Sequence, residues 1–147
     1  MKVSRFSLVI ISALVWYIGG TILLIKGGSL IKSAHSLNSQ SIWTFTAVFI
    51  GLLAGLIKGR YLFSRSCKKN ISRIRALTDP RPWQCFRAGF LVFLAIIMPI
   101  SALMSKTAAG NFTLLLMVGT LDLSIAFALL ISSLVFWRLK AFSASGA

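Results

Sequence analysis

Residues 112–137 read FTLLLMVGTLDLSIAFALLISSLVFW, with a single charge, Asp122, in the middle. A bilayer core of about 30 Å needs about 20 apolar residues in a helix rising about 1.5 Å per residue, and this run exceeds that. A helix on a soluble domain shows a polar face; this one is apolar all round. Its small residues Gly119, Ala126 and Ser133 recur at heptad spacing, and Asp122 falls on their face. Small residues mark the side on which helices meet in lipid. Asp122 is therefore expected to point into a helix bundle, because a charge at the bilayer centre costs at least about 2.5–3.5 kcal/mol.

Three further runs resemble it. Residues 6–25 carry no charge, residues 42–63 carry Lys58 and Arg60 near one end, and residues 88–105 carry none. Lys58 and Arg60 can snorkel to a headgroup layer. None of the runs alternates polar with apolar residues, which a transmembrane β-barrel would require. The spacing predicts an all-α integral membrane protein of one domain over residues 1–147, with spans at about 6–25, 42–63, 88–105 and 112–137 in two hairpins. Residues 1–5 resemble the basic start of a secretion signal, but the apolar run that follows is too long for one and no A-x-A site succeeds it. It reads as a retained span.

Composition agrees. The 147 residues are 57% hydrophobic and 12% charged, with a mean hydropathy of +0.88, whereas a soluble domain is about 45–50% apolar and about 25% charged. Sixteen Lys and Arg face two acids, Asp79 and Asp122. Such an excess calls for an anionic partner, and the hydropathy favours lipid headgroups over nucleic acid. Stacking aromatics near the basic residues are confined to Tyr61 and Phe63, so nucleic acid is not an expected partner. Thirteen of the sixteen cations precede the first run, follow the last, or lie in residues 58–87. Lys26, Lys32 and Lys106 lie on the other side. By the positive-inside rule both termini and the central basic segment are cytoplasmic.

Within that segment Phe63, Cys67, Ile71, Ile74 and Thr78 recur at three- and four-residue spacing. Arg65, Lys68, Lys69, Arg73 and Arg75 fill the remaining arc. This predicts a basic amphipathic helix that extends the second span into the headgroup layer, ended by Thr78-Asp79-Pro80-Arg81-Pro82. Trp83 would anchor the start of the third span, with Trp43 and Trp137 at other span ends. Lys58, Arg60, Arg65, Lys68, Lys69, Arg73 and Arg75 are the candidate headgroup-binding residues.

Ala47, Gly51, Gly55 and Gly59 place a small residue at every fourth position of the second run. Together with Gly119 they are candidate helix-packing residues, either within the bundle or between two copies. Gly19-Gly20 reads as a close-packing point or a kink. Asp122 is a structural acid, neutral or paired with Lys26 or Lys106, or else an intramembrane proton or cation site. His35 falls in a polar stretch, Ser33 to Ser41, expected to be a solvated external loop. Cys67 and Cys85 form no zinc pattern. No nucleophile–base pair and no phosphate or dinucleotide fingerprint is visible, so neither an enzyme nor a cofactor is expected.

Lys58-Gly59-Arg60, then Arg65, Lys69-Asn70-Ile71 and Arg73-Ile74, resemble the core of a family of small bacterial four-span inner-membrane proteins that has no assigned activity. Pro82-Trp83, Leu121-Asp122-Leu123 and Trp137-Arg138 are similar to the same family. The resemblance implies a multi-pass protein of the bacterial cytoplasmic membrane. It singles out Lys58, Arg60, Asn70, Arg73 and Asp122, and it implies a more ordered link than Thr107 to Asn111 suggests. The expected function is an accessory or scaffold protein whose basic helix engages anionic lipid or an acidic partner, with a homo-oligomer or a partner membrane protein also in view. The alternative is a small permease or channel subunit using Asp122.

Overall fold

A computed structural model describes residues 5–79, 81, 84 and 88–138. Among them there is no strand. The helices are α1 (Arg5–Leu37), α2 (Trp43–Lys58), a π-helical turn (Gly59–Phe63), α3 (Ser64–Ala76), α4 (Ala88–Thr107) and α5 (Phe112–Arg138). The proposed anchor Trp83, together with Lys2, Pro80, Pro82, Cys85, Arg87 and Lys140, lies outside the described residues.

Three helices are long and apolar enough to cross a membrane: α1, the continuous α2–α3 rod, and α5. The apolar stretch of α4, Val92–Thr107, is shorter. Large apolar side chains cover the outside of each: Ile11, Leu14, Ile18, Ile22 and Ile25 on α1; Phe45, Phe49 and Leu53 on α2; Ile96 and Leu103 on α4; Met117 and Leu121 on α5. Water would make such a surface an aggregation site; lipid suits it.

The packing does not follow the chain-order hairpins. Helix α5 lies between α1 and α2, which scarcely touch each other. Small residues explain its position. A Cβ added to Gly27 of α1 would meet the Leu123 amide nitrogen at 3.0 Å and the Gly119 carbonyl at 3.1 Å. One added to Gly119 would meet Ile31 Cγ1 at 2.8 Å. On the other side of α5, Gly51 faces the Thr120 carbonyl, Gly55 the Ser124 carbonyl, and Gly59 the Ala128 carbonyl, at 3.2, 2.8 and 2.9 Å from the built Cβ. The glycine stripe of α2 is thus occupied within the chain. These ascending pairs also make α2 and α5 parallel, whereas α1 and α5 are antiparallel. Gly20 packs against Leu130, so the Gly19-Gly20 pair is a packing point.

Helix α1 outruns its expected end at residue 25 by about three turns and reaches Leu37. Lys26 therefore lies inside a helix. Of the stretch Ser33 to Ser41, Ser33 to Leu37 form the last turn of α1 and residues 38–41 are the expected link; His35 packs edge-on against Phe45, ring centroids 6.1 Å apart. The link Thr107 to Asn111 is a tight turn. Ala108 donates to Met104, Asn111 donates to Ala108, and Gly110 takes the left-handed conformation at φ 81°. Asn111 Oδ1 then accepts from the Leu114 amide at 3.2 Å, capping α5.

Stripes of period four precess around a 3.6-residue helix. Gly51, Gly55, Gly59, Phe63, Cys67 and Ile71 stay on one side because the π turn, wider than an α turn, absorbs the drift. The Gly59 carbonyl there accepts both the Ser64 amide and, at 2.6 Å, the Ser64 hydroxyl. The buried face of α3, Cys67, Asn70, Ile71 and Ile74, consequently lands on α1 and α5, against Leu8, Val9 and Phe136. The amphipathic helix therefore buries its apolar stripe in protein and not in the headgroup layer.

Gly55→Ala should lower the thermal midpoint and the yield of folded protein, since its methyl carbon would sit 2.7 Å from Phe127 Cβ and overpacking costs about 1–3 kcal/mol. Gly28→Ala, with nothing within 4 Å of its added methyl, should be neutral or stabilising by up to about 1 kcal/mol. Melting curves of the two variants in detergent check this; equal midpoints would mean that α2 and α5 do not touch at Gly55.

Candidate functional site

Two polar constellations stand out. The first lies among α1, α4 and α5. Asp122 is buried, 2% exposed. Its Oδ1 accepts a hydrogen bond from Ser101 Oγ at 2.6 Å, and its Oδ2 lies 3.2 Å from Lys26 Nζ. Lys26 Nζ also donates to Ser101 Oγ. The serine hydroxyl thus accepts from the ammonium and donates to the carboxylate, closing a three-membered cluster with no net charge. Of the two lysines offered by the sequence, Lys26 is the partner; Lys106 is exposed at the end of α4. The ammonium keeps 28% side-chain exposure against 3% for the carboxylate. A cleft of about 430 Å³ lined by Ile22, Lys26 and Ser105 adjoins it.

Ser101 escaped the sequence reading. It is the one buried residue of α4 among those described, and it docks a helix that otherwise meets the bundle mainly where Phe90 stacks on Trp16, ring centroids 4.9 Å apart and planes 11° from parallel. Trp16 also meets Phe63 edge-on at 6.0 Å, tying α1 and α4 to the π turn.

The second constellation is the basic end. Arg65, Lys68 and Lys69 are exposed on the outer side of α3, and Lys58, Arg73 and Arg75 are half-buried. Arg73 donates from Nη2 to the Gln84 carbonyl at 2.5 Å. Asn70 points inward, donating from Nδ2 to Ser12 Oγ at 3.1 Å; this bond pins α3 to α1. Cys67 is buried completely. Arg60 is exposed in the π turn and lines a cleft with Arg138 of α5. Among the described residues no group of three or more His, Cys, Asp or Glu could hold a metal. No family model, curated protein or solved structure matches this chain.

Breaking the buried pair from one side should be costly, about 3–5 kcal/mol, because it strands a charge. Lys26→Met should therefore destabilise more than Asp122→Asn, which keeps the shape and a hydrogen bond to Ser101. The double variant Lys26→Met with Asp122→Asn should recover most of the loss, since neither charge is then left unpaired. Thermal midpoints of the four proteins form a double-mutant cycle; additive losses would show that the pair contributes no coupling.

Proposed function

We propose that this chain is a four-span membrane protein of accessory or scaffold type. Its basic end faces the cytoplasm and gathers anionic lipid headgroups. The observation that carries the reading is the way α3 is held. Its apolar stripe is occupied by α1 and α5, and Asn70 is bonded to Ser12. Arg65, Lys68 and Lys69 are left on the outer side as a fixed cationic face. The chain cannot neutralise that face itself. It has two acids, and one of them is buried against Lys26.

The four spans rest on α4. Its 20 residues match a core of about 30 Å. Phe90 lies on Trp16 and Ser101 on Lys26, so α4 runs beside α1 in the same direction and in near-equal register. The distribution of cations supports a cytoplasmic side for both termini and α3. The bacterial inner membrane, and kinship with its small four-span proteins, rest on the Lys-Gly-Arg and Asn-Ile-x-Arg-Ile motifs. Use of Asp122 as a transport site has less support, since Oδ1 accepts from Ser101 and the carboxylate is ion-paired with Lys26 through Oδ2.

Each Lys or Arg near an anionic surface contributes about 1 kcal/mol, fading within a Debye length of about 8–10 Å. In nanodiscs of mixed lipid, the retained shell should be enriched in phosphatidylglycerol. Arg65→Gln with Lys68→Gln and Lys69→Gln should remove most of that enrichment, and salt should weaken it in the parent. Unchanged enrichment in the triple variant would overturn the reading; enrichment lost while an acidic protein still binds would not occur under it. For orientation, with Cys67 and Cys85 replaced by Ser, an impermeant thiol reagent on intact cells should label Ser36→Cys and spare Lys68→Cys. The reverse pattern would invert the topology.

A further inference from the structure

Helices α2 and α5 run parallel with Gly59 against Ala128 and Ile131, so Arg60, in the π turn, lies towards the same end of the bundle as Arg138, which is about two turns further along α5. Both line one cleft of about 340 Å³. Its other walls are largely apolar, with Ile57 from α2 and Ile131 and Leu134 from α5, and Tyr61 adds a phenol next to Arg60 in the chain. No acid is among the described residues that line the cleft. Two guanidinium groups that share a cleft without a counter-charge repel each other, and an anion between them removes that repulsion.

We propose that this cleft binds one anionic phospholipid, its phosphate held by Arg60 and Arg138 and its acyl chains lying along Ile57, Ile131 and Leu134. The proposal rests on the reading of the basic end as the cytoplasmic, headgroup-facing one. It differs from the α3 face in kind: a shaped site with a fixed occupancy, where α3 offers a diffuse field. The guanidinium fork matches two phosphate oxygens, which an ammonium cannot do. The apolar walls select a lipid over free phosphate. Ile57 is 61% and Leu134 49% exposed, so each has surface to give to an acyl chain. The site was half visible in the sequence: Arg60 stood among the basic residues of the central segment, but Arg138 lies at the far end of another helix, and only the parallel packing of α2 and α5 brings them together.

Native mass spectrometry of the full-length protein in mild detergent tests the site, with phosphatidylglycerol, phosphatidylcholine and glycerol phosphate as probes. One phosphatidylglycerol per chain is expected, bound more tightly than phosphatidylcholine, with no adduct from glycerol phosphate. Arg60→Gln or Arg138→Gln should weaken the lipid adduct by about ten- to a hundred-fold, the range for loss of a charge-assisted contact, and Arg→Lys at either position should weaken it less. Leu134→Trp, which fills the groove from a half-exposed position without altering charge, should also displace the lipid. An adduct unaffected by both Gln variants and by Leu134→Trp overturns the proposal, as does equal binding of glycerol phosphate. Lys68→Gln with Lys69→Gln separates the two readings. If only this pair removes bound lipid, the cleft is refuted and the α3 face stands; if only the cleft variants do so, the discrete site stands and the diffuse one falls.

Discussion

The approach of bare backbone to backbone along both sides of α5 is the contact on which the rest of the bundle depends. Acyl chains are as apolar as leucine, so burying apolar side chains between helices in lipid gains little; close van der Waals contact has to hold the helices together. Helix α5 can serve two neighbours because it carries two small-residue faces. Gly119 meets Gly27 of α1, and Thr120, Ser124 and Ala128 meet Gly51, Gly55 and Gly59 of α2. The ion pair follows from this contact. Lys26 is the residue before Gly27, and its ammonium reaches Asp122 because the Gly27–Gly119 crossing holds the two backbones close, one turn away.

Helix α4 has no such face. Gly89 meets nothing within 4 Å, and its other described small residues apart from Ser101 and Ser105, Ala95 and Ala102, are exposed. A hydroxyl inserted into a closed ion pair and one stacked ring hold it instead. Hydrogen bonds to charged groups are stronger than neutral ones, about 1.5–3 kcal/mol, and a low dielectric strengthens them further. The cluster also solves the problem of putting Asp122 among helices at all: the carboxylate is neutralised by α1 and hydrogen-bonded by α4, so three helices share the cost of burying it. The arrangement makes α4 the most loosely held of the long helices and the polar cluster its principal attachment.

Much of this was legible from residue spacing. Gly51, Gly55 and Gly59 form a stripe whatever they face, and the heptad of Gly119, Ala126 and Ser133 oriented Asp122 inward. The partners were harder to see, because a stripe names one surface of a contact and not the other. Thr120, Ser124 and Ala128 recur at every fourth position as plainly as the glycines, yet they are polar or merely small and read as ordinary helix. Ser101 is a single hydroxyl in an apolar run, with no periodicity to flag it. The charge-free run stops at Lys26, yet α1 continues to Leu37 because the lysine is matched by Asp122 and Gly27 is used for contact. The stripe of α3 was read correctly and its environment was not, since periodicity is the same whether an apolar face meets lipid or protein. The discriminating residue was Asn70. An amide between Cys67 and Ile71 on the buried face fits poorly against acyl chains and well against a hydroxyl such as Ser12.

That amide also bears on how the cations are presented. An amphipathic helix lying in a headgroup layer can roll about its axis, and its basic residues then share the interface with its apolar ones. Helix α3 is fixed at three points: the π turn joins it to α2, Cys67, Ile71 and Ile74 seat it on α1 and α5, and Asn70 sets its rotation through Ser12. Its outer cations therefore cannot turn inward to relieve one another, and with two acids in the whole chain they find little relief nearby. Net charge far from zero destabilises a compact state by self-repulsion. Under the proposed function, an anionic leaflet would supply the missing negative charge at this end, as Asp122 does for Lys26 within the bundle. A basic end held this rigidly is hard to account for as a topology signal alone, because positive residues direct insertion by their presence in a loop and need no fixed geometry to do so.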